Sequence, residues 1–259
     1  MSGSGTTGDS VMRVVDAELL PDRSGALVWP ARNLLVFSDL HLEKASSFAR
    51  RGYLLPPYDS TETLRRMREA MERIDPRQVI CLGDSFHDAE AADRMSADDR
   101  AALARLMQDR HWTWITGNHD PTPPQWLGGE VADELDLAPL HFRHEPRTGP
   151  AAGEVCGHLH PKASIAPSGR RITRRCFATD GRRLVLPAFG AYTGGLDVRD
   201  QAFARLFPDR LDAWLLGRRG SHRISVRNPR REETDPELNQ QPYLPDLFQE
   251  KNLKYDPNY

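Results

Sequence analysis

LLVFSDLHLE, Leu34–Glu43, is a run of four apolar residues followed by Ser38 and then by a carboxylate and an imidazole two positions apart. Leu34–Phe37 predicts a buried strand that surfaces at its C-terminal end. In an extended chain residues i and i+2 face the same side, so Asp39 and His41 can grip one ion if that geometry persists past Ser38. Alone, the D-x-H pair reads as readily as a polar loop after a strand, and the neighbouring segments have to decide.

They repeat the pattern. Val79–Leu82 leads into GDSFHD, with Asp84, His87 and Asp88, and Trp112–Thr116 leads into GNHD, with Asn118, His119 and Asp120. Between these strands, Ser60–Ile74 carries Leu64, Met67, Met71 and Ile74 at spacings of three and four, with Asp59 as N-cap and Glu62 three residues on. This is an amphipathic helix ended by Pro76. Ser96–Gln108 is a second helix, opened by Ser96 with Asp99 in its first turn. Strand, helix, strand, helix, strand is the grammar of a parallel or mixed α/β sheet, whose carboxyl ends gather at one crevice.

Upstream, Val11–Leu20 and Ala26–Trp29 read as strands separated by turn residues. Beyond Gly128 the elements are short strands: Leu140–Arg143, Glu154–Cys156, Arg171–Phe177, Leu184–Leu186, Ala213–Leu216 and Arg223–Val226. This β-rich half is expected to pack on the first. It contributes HFRHEP, with His141 and His144, and GHLHP, with His158 and His160.

The remaining composition sets bounds. A chain of 259 residues with 39% hydrophobic content can build a full core. Lys and Arg total 35 against 37 Asp and Glu, so there is no global basic field, although a local patch is compatible. Three widely spaced cysteines, Cys81, Cys156 and Cys176, suit reduced thiols in a cytoplasmic protein better than a disulfide framework. No stretch reaches membrane-span length. Residues 1–10 read as a flexible leader, 11–227 as the folded domain and 228–259 as a disordered tail. The tail segment YLPDLF, Tyr243–Phe248, is a candidate docking motif set against an inert-tail reading.

Seven of the nine histidines lie in the strand-end motifs. The donor set is Asp, Asn and His without sulfur, which suits Mn, Fe or Zn in a catalytic site rather than a structural zinc cage. D-x-H, G-D, G-N-H-D and G-H-x-H, in this order and each after an apolar strand, resemble the calcineurin-like metallophosphoesterases. The phrases DLHLEKASSFARRGYLLPPYDS, ICLGDSFHD, GNHDPTPP, FRHEP, GHLHPKA and RRCFATDGRRLVLPAFGAYTGGLDV narrow the resemblance, across Val11–Arg227. They are similar to the bacterial ligase-associated DNA damage response endonucleases of the PdeM type.

The resemblance implies an α/β fold, a four-layer α/β/β/α sandwich of the metallo-dependent phosphatase type. It implies two divalent ions, Mn first and Fe or Zn as alternatives. Asp39, His41 and His160 would bind one and Asn118, His144 and His158 the other, with Asp84 shared; the spacing leaves His141 open in place of His144. His119 would protonate the leaving oxygen, with Asp120 as its orienting partner, and His87 would either contact the scissile phosphate or serve the structure. The implied partners are DNA and the ATP-dependent ligase and helicase of the same gene cluster.

Arg50, Arg51, Arg174, Arg175 and Tyr192 are candidate substrate-binding residues, because a guanidinium fork suits phosphate and an aromatic face suits a base. Lys44, Arg170, Arg171, Arg182 and Arg183 extend the same basic set. Two other functions compete with DNA cleavage: hydrolysis of a small phosphodiester or phosphomonoester, and a protein-binding scaffold that has lost its chemistry.

Overall fold

The structure is a computed structural model describing residues 11–124, 126–166 and 170–227. The leader and the tail with its YLPDLF segment lie outside the described residues. Two mixed sheets pack face to face, and helices cover their outer faces.

The first sheet runs β1 (Met12–Val14), β2 (Ala17–Pro21), β3 (Leu27–Trp29), β4 (Leu34–Phe37), β5 (Gln78–Leu82), β6 (His111–Ile115) and β7 (Glu130–Ala132) in that spatial order. Strands β4 to β7 are parallel, and β1 to β3 join them as antiparallel neighbours. The expected single strand Val11–Leu20 is instead a hairpin. Val15 takes a left-handed backbone (φ 46°) and, with Asp16, turns the chain, which apolar content alone did not reveal.

The second sheet comprises β8 (Glu134–Leu137), β9 (Leu140–Arg143), β10 (Glu154–Cys156), β11 (Lys162–Ile165), β12 (Ile172–Thr179), β13 (Leu184–Val185), β14 (Arg210–Leu216) and β15 (Ser221–Arg227). Its order is β15-β14-β12-β13-β10-β9-β8, with β11 paired to β12.

Strand alternation divides the side chains into layers. On β4, Leu34 and Val36 face Leu140, Phe142, Val155 and Phe177 of the other sheet, whereas Leu35 and Phe37 face Met67 and Met71 of the helix α2 (Asp59–Ile74). The helices α3 (Ala91–Arg94) and α4 (Ala97–Met107) join that outer layer, the first through Ala91 and Ala92 and the second through Leu103 and Leu106. On the far side Phe203 of α5 (Gln201–Leu206) packs on Cys176, Ala178 and Ala213. The order is therefore α/β/β/α.

Ser96 caps α4 by accepting from the Asp99 amide at 3.1 Å, as expected. Asp59, expected to cap α2, lies within that helix and instead accepts from the Ala45 amide at 3.0 Å. That amide belongs to the first turn of α1 (Lys44–Arg50), so Asp59 caps the neighbouring helix. The Ser60 hydroxyl fixes the same junction, accepting from the Glu43 amide and donating to its carboxylate, both at 2.8 Å.

Candidate metal centre

The loops after β4, β5, β6, β9 and β10 meet at one end of the sandwich and are stitched together by backbone hydrogen bonds. The Asp39 amide donates to Gly83 at 3.2 Å, the His41 amide to Asp84 at 2.9 Å, and the Gly157 amide to His144 at 2.9 Å. Phe189 and Gly190, from the loop after β13, donate back to Ser38 and Asp39 at 2.8 and 3.1 Å.

The backbone here is not a continuation of the strand. Asp39, His41, Asp84, His158 and His160 all have left-handed φ, between 45° and 68°. The expectation that Asp39 and His41 share a face through extended geometry is therefore corrected. Alternate residues are bent into αL, and the same device recurs in H-x-H at His158 and His160. Non-glycine residues seldom occupy this region, and several doing so at one place is strain held by a functional site.

Glycine makes the close approach possible. A Cβ on Gly117 would sit 2.3 Å from the Asp84 amide nitrogen, and one on Gly157 would sit 2.1 Å from Ser38 Oγ and 2.5 Å from Asp39 Oδ2. Gly157→Ala is expected to displace Asp39, which accepts from Ser38 Oγ at 2.5 Å and from the His158 amide at 3.2 Å. Overpacking of this kind costs about 1–3 kcal/mol. Elemental analysis should show metal loss at the Asp39 side, while circular dichroism retains the secondary structure. Full metal content would show that the loop yields without consequence.

Two donor groups result, Asp39–His41–His160 and Asp84–His144–His158, each with its ligand atoms within 4.8 Å of one another. In the first, His160 Nε2 lies 3.0 Å from Asp39 Oδ1 and 3.4 Å from His41 Nε2. In the second, His144 Nε2 lies 3.3 Å from Asp84 Oδ2, 3.1 Å from Asn118 Oδ1 and 3.3 Å from His158 Nδ1. Asn118 Oδ1 is also 3.0 Å from His158 Nδ1, so it completes this group.

Asp84 links the two. Its Oδ1 accepts from the His119 amide at 3.0 Å, while Oδ2 lies 3.8 Å from His41 Nε2 and 3.3 Å from His144 Nε2. Although burial opposes ionisation, His144, His41 and His119 hold the Asp84 carboxyl well below the usual range.

These residues fit a pair of cations. His144 Nδ1 donates to the Leu82 carbonyl at 3.1 Å, which turns Nε2 toward carboxylate and amide oxygens. A bare nitrogen meeting bare oxygens requires a positive charge between them. Against the effect of burial, Asp84 raises the His144 imidazole to about 10, so a proton answers that demand when no ion does. Asp84 Oδ2 and His119 Nε2 are sealed from solvent without a hydrogen-bond partner among the described residues.

A family model, calcineurin-like phosphoesterase, matches residues 32–215. The chain belongs to the calcineurin-like phosphoesterase family. It is a metal-dependent phosphoesterase, and the two sheets carry the metallo-dependent phosphatase fold. A solved structure similar to this phosphoesterase is Pseudomonas putida nuclease MPE, with 29% identity and a TM-score of 0.66, covering 83% of this chain and 99% of that one. A phosphoesterase from E. coli, Yfce, aligns at 16% identity and a TM-score of 0.39, covering 76% and 99%. No curated relative matches the chain.

The remaining candidate residues separate. His144 is buried in the phosphoesterase centre, whereas His141 points out of β9 and pairs with Asp136 at 2.5 Å. His119 sits at the rim, its Nδ1 donating to the His87 carbonyl at 2.9 Å. Asp120 does not orient it. That carboxylate is buried and accepts from the Ser85 and Phe86 amides at 2.8 and 3.1 Å, pinning the β5 loop to the β6 loop.

His87 places Nδ1 3.3 Å from His41 Nδ1 and stacks on Phe48 with ring centroids 5.8 Å apart. Its trio with His41 and His119 is a third possible donor group, on the far edge of the His41 ring.

The candidate substrate residues also divide. Arg51 and Arg174 are exposed. Arg50 is exposed and ion-paired with Glu90. Arg175 is withdrawn from the substrate set, because its guanidinium donates to the carbonyls of Ala188 at 2.7 Å and of Phe189 and Ser24 at 3.4 Å, tying the two sheets together. Arg183 is likewise spent, buried against Glu154 at 2.5 Å. Tyr192 is half-buried with a left-handed φ of 61°.

Ser38, the Leu82 carbonyl and the His87 carbonyl escaped sequence reasoning. Backbone carbonyls carry no sequence signal. Lys44 was visible only as one basic residue among several.

Proposed function

We propose that the protein is a Mn-dependent phosphodiesterase that cleaves DNA, an endonuclease of bacterial DNA repair working beside an ATP-dependent ligase and a helicase in the cytoplasm. The observation that carries this reading is the convergence of two Asp/His donor groups on the single carboxylate Asp84, in a chain similar along most of its length to a solved nuclease. Three free, buried thiols suit a reducing compartment.

In this reading Asp39, His41 and His160 hold one ion and Asn118, His144 and His158 the other, with Asp84 shared. Such ion pairs supply Lewis-acid polarisation of a phosphoryl oxygen and a nucleophile at neutral pH. The chain's own residues do the rest. Leu82 holds the His144 ring through its carbonyl, Ser38 and the His158 amide hold Asp39, and the His87 carbonyl turns His119 so that Nε2 faces the reacting group. From there His119 gives a proton to the departing oxygen. The exposed Arg51 and Arg174 are positioned by this reading along a nucleic-acid backbone, which makes binding weaken as salt rises.

The test is nicking of closed circular DNA with Mn, Zn or Mg, beside a generic phosphodiester and phosphomonoester. Metal-dependent nicking that chelator abolishes is the expected result. Ester turnover with intact DNA would move the function to small-molecule hydrolysis. Absence of both, with no ion bound, would favour a scaffold.

A further inference from the structure

Two cationic side chains are buried among the described residues, Lys44 and Arg183. Arg183 has its carboxylate at Glu154. Lys44, the first residue of α1, has no carboxylate within 4 Å and no hydrogen-bond acceptor among the described residues, although only 6% of it is exposed. An ammonium withdrawn from water without a partner is costly. The Asp59 carboxylate next to it in the fold is engaged by the Ala45 amide.

The surroundings point toward the metal centre. Lys44 lies three residues after His41, and its ammonium is 6.0 Å from the centroid of Phe48. Phe48 stacks on His87, and His87 Nδ1 is 3.3 Å from His41 Nδ1. The Lys44 nitrogen is not among the sealed, unpartnered atoms of the interior, as Asp84 Oδ2 and His119 Nε2 are. The stem is therefore packed while the charged tip keeps a window to solvent. A buried stem with a reachable, uncommitted charge beside a phosphoester-cleaving centre is arranged for an anion.

We infer that Lys44 is a substrate-binding residue whose ammonium takes a non-bridging oxygen of the phosphoryl group at the Asp39–His41–His160 side of the centre. This rests on the phosphodiesterase reading for the identity of the substrate, but not for the presence of the anion site. Lysine suits the task as a compact point charge. The exposed Arg51 and Arg174 lie along the outer path, and Lys44 lies at the reacting phosphate.

The test compares the full-length protein with Lys44→Met, both loaded with Mn, using inorganic phosphate as the probe in calorimetry and bis(p-nitrophenyl) phosphate as the diester. Loss of a charge-assisted contact is expected to weaken phosphate binding about tenfold or more, with KM for the diester rising in parallel. Metal content should stay unchanged, and the melting temperature should not fall. Lys44→Arg keeps a cation of comparable reach, whereas Lys44→Met keeps only the bulk of the stem. Phosphate affinity kept by Lys44→Arg and lost by Lys44→Met would show that charge, rather than packing, is responsible.

Equal phosphate affinity in wild type and Lys44→Met overturns the proposal, as does a loss that Lys44→Arg suffers in full or one that follows metal loss. Lys44-dependent phosphate binding without diester turnover by wild type would uphold the anion site and overturn the phosphodiesterase reading. Diester turnover with phosphate binding indifferent to Lys44 would do the reverse.

Discussion

Asp84→Ala should leave a folded protein that retains neither ion and turns over no diester above background. Asp84 Oδ2 faces the ring Nε2 atoms of both donor groups, 3.8 Å from His41 and 3.3 Å from His144. Removing one partner of a buried charge cluster typically costs about 3–5 kcal/mol, because the other charges remain buried without it. Partners outside the ligand shell already carry about 10–100-fold in metal affinity, so loss of a shared ligand should exceed about a hundredfold. Elemental analysis after dialysis is the direct measurement, with chelator-treated wild type as the reference. An Asp84→Asn variant separates charge from shape, since it can still accept the His119 amide that Asp84 Oδ1 holds at 3.0 Å. A variant that kept two ions per chain would refute the shared carboxylate.

His119→Ala should behave differently, keeping both ions while losing turnover. Its Nε2 lies 4.0 Å from Asp84 Oδ2, farther than His41 Nε2 and His144 Nε2, and its Nδ1 is committed to the His87 carbonyl. A positioned general acid contributes about a hundred- to ten-thousand-fold in rate. Leaving-group dependence gives a sharper readout than rate alone. DNA expels a poorly stabilised alkoxide that needs the proton, whereas p-nitrophenolate leaves without one. His119→Ala should therefore lose far more activity on DNA than on bis(p-nitrophenyl) phosphate. Equal losses on both would assign His119 to electrostatic or positional work, and unchanged DNA cleavage would remove it from the chemistry.

Much of the centre was legible because ligands on an α/β sheet have to sit where strands end. Leu34–Phe37, Gln78–Leu82 and His111–Ile115 are apolar enough to be recognised as strands, and the polar residues that follow them met as the topology required. His144 was legible too. On β9 Leu140 and Phe142 face inward, and period-two alternation carries residue 144 to that side and residue 141 to solvent. Short polar strands such as β11, Lys162–Ile165, gave no such signal, since their pairing with Ile172–Arg175 comes from across the sheet.

The sequence by itself determined the strand–helix alternation of the first half, the β-rich second half, the places where donors gather and the absence of sulfur from them, because hydrophobic periodicity and residue chemistry are local properties. Tertiary structure alone decided which atoms face one another. It bent Asp39, His41, His158 and His160 into left-handed backbone, turned Asp120 from His119 toward two amides, sent Asp59 to cap another helix and committed Arg175 to three carbonyls. It also left Lys44 buried with no carboxylate of the described residues within 4 Å. Each of these depends on a partner distant in the chain, and the energy of a polar group is set by the partner it meets rather than by its neighbours in sequence.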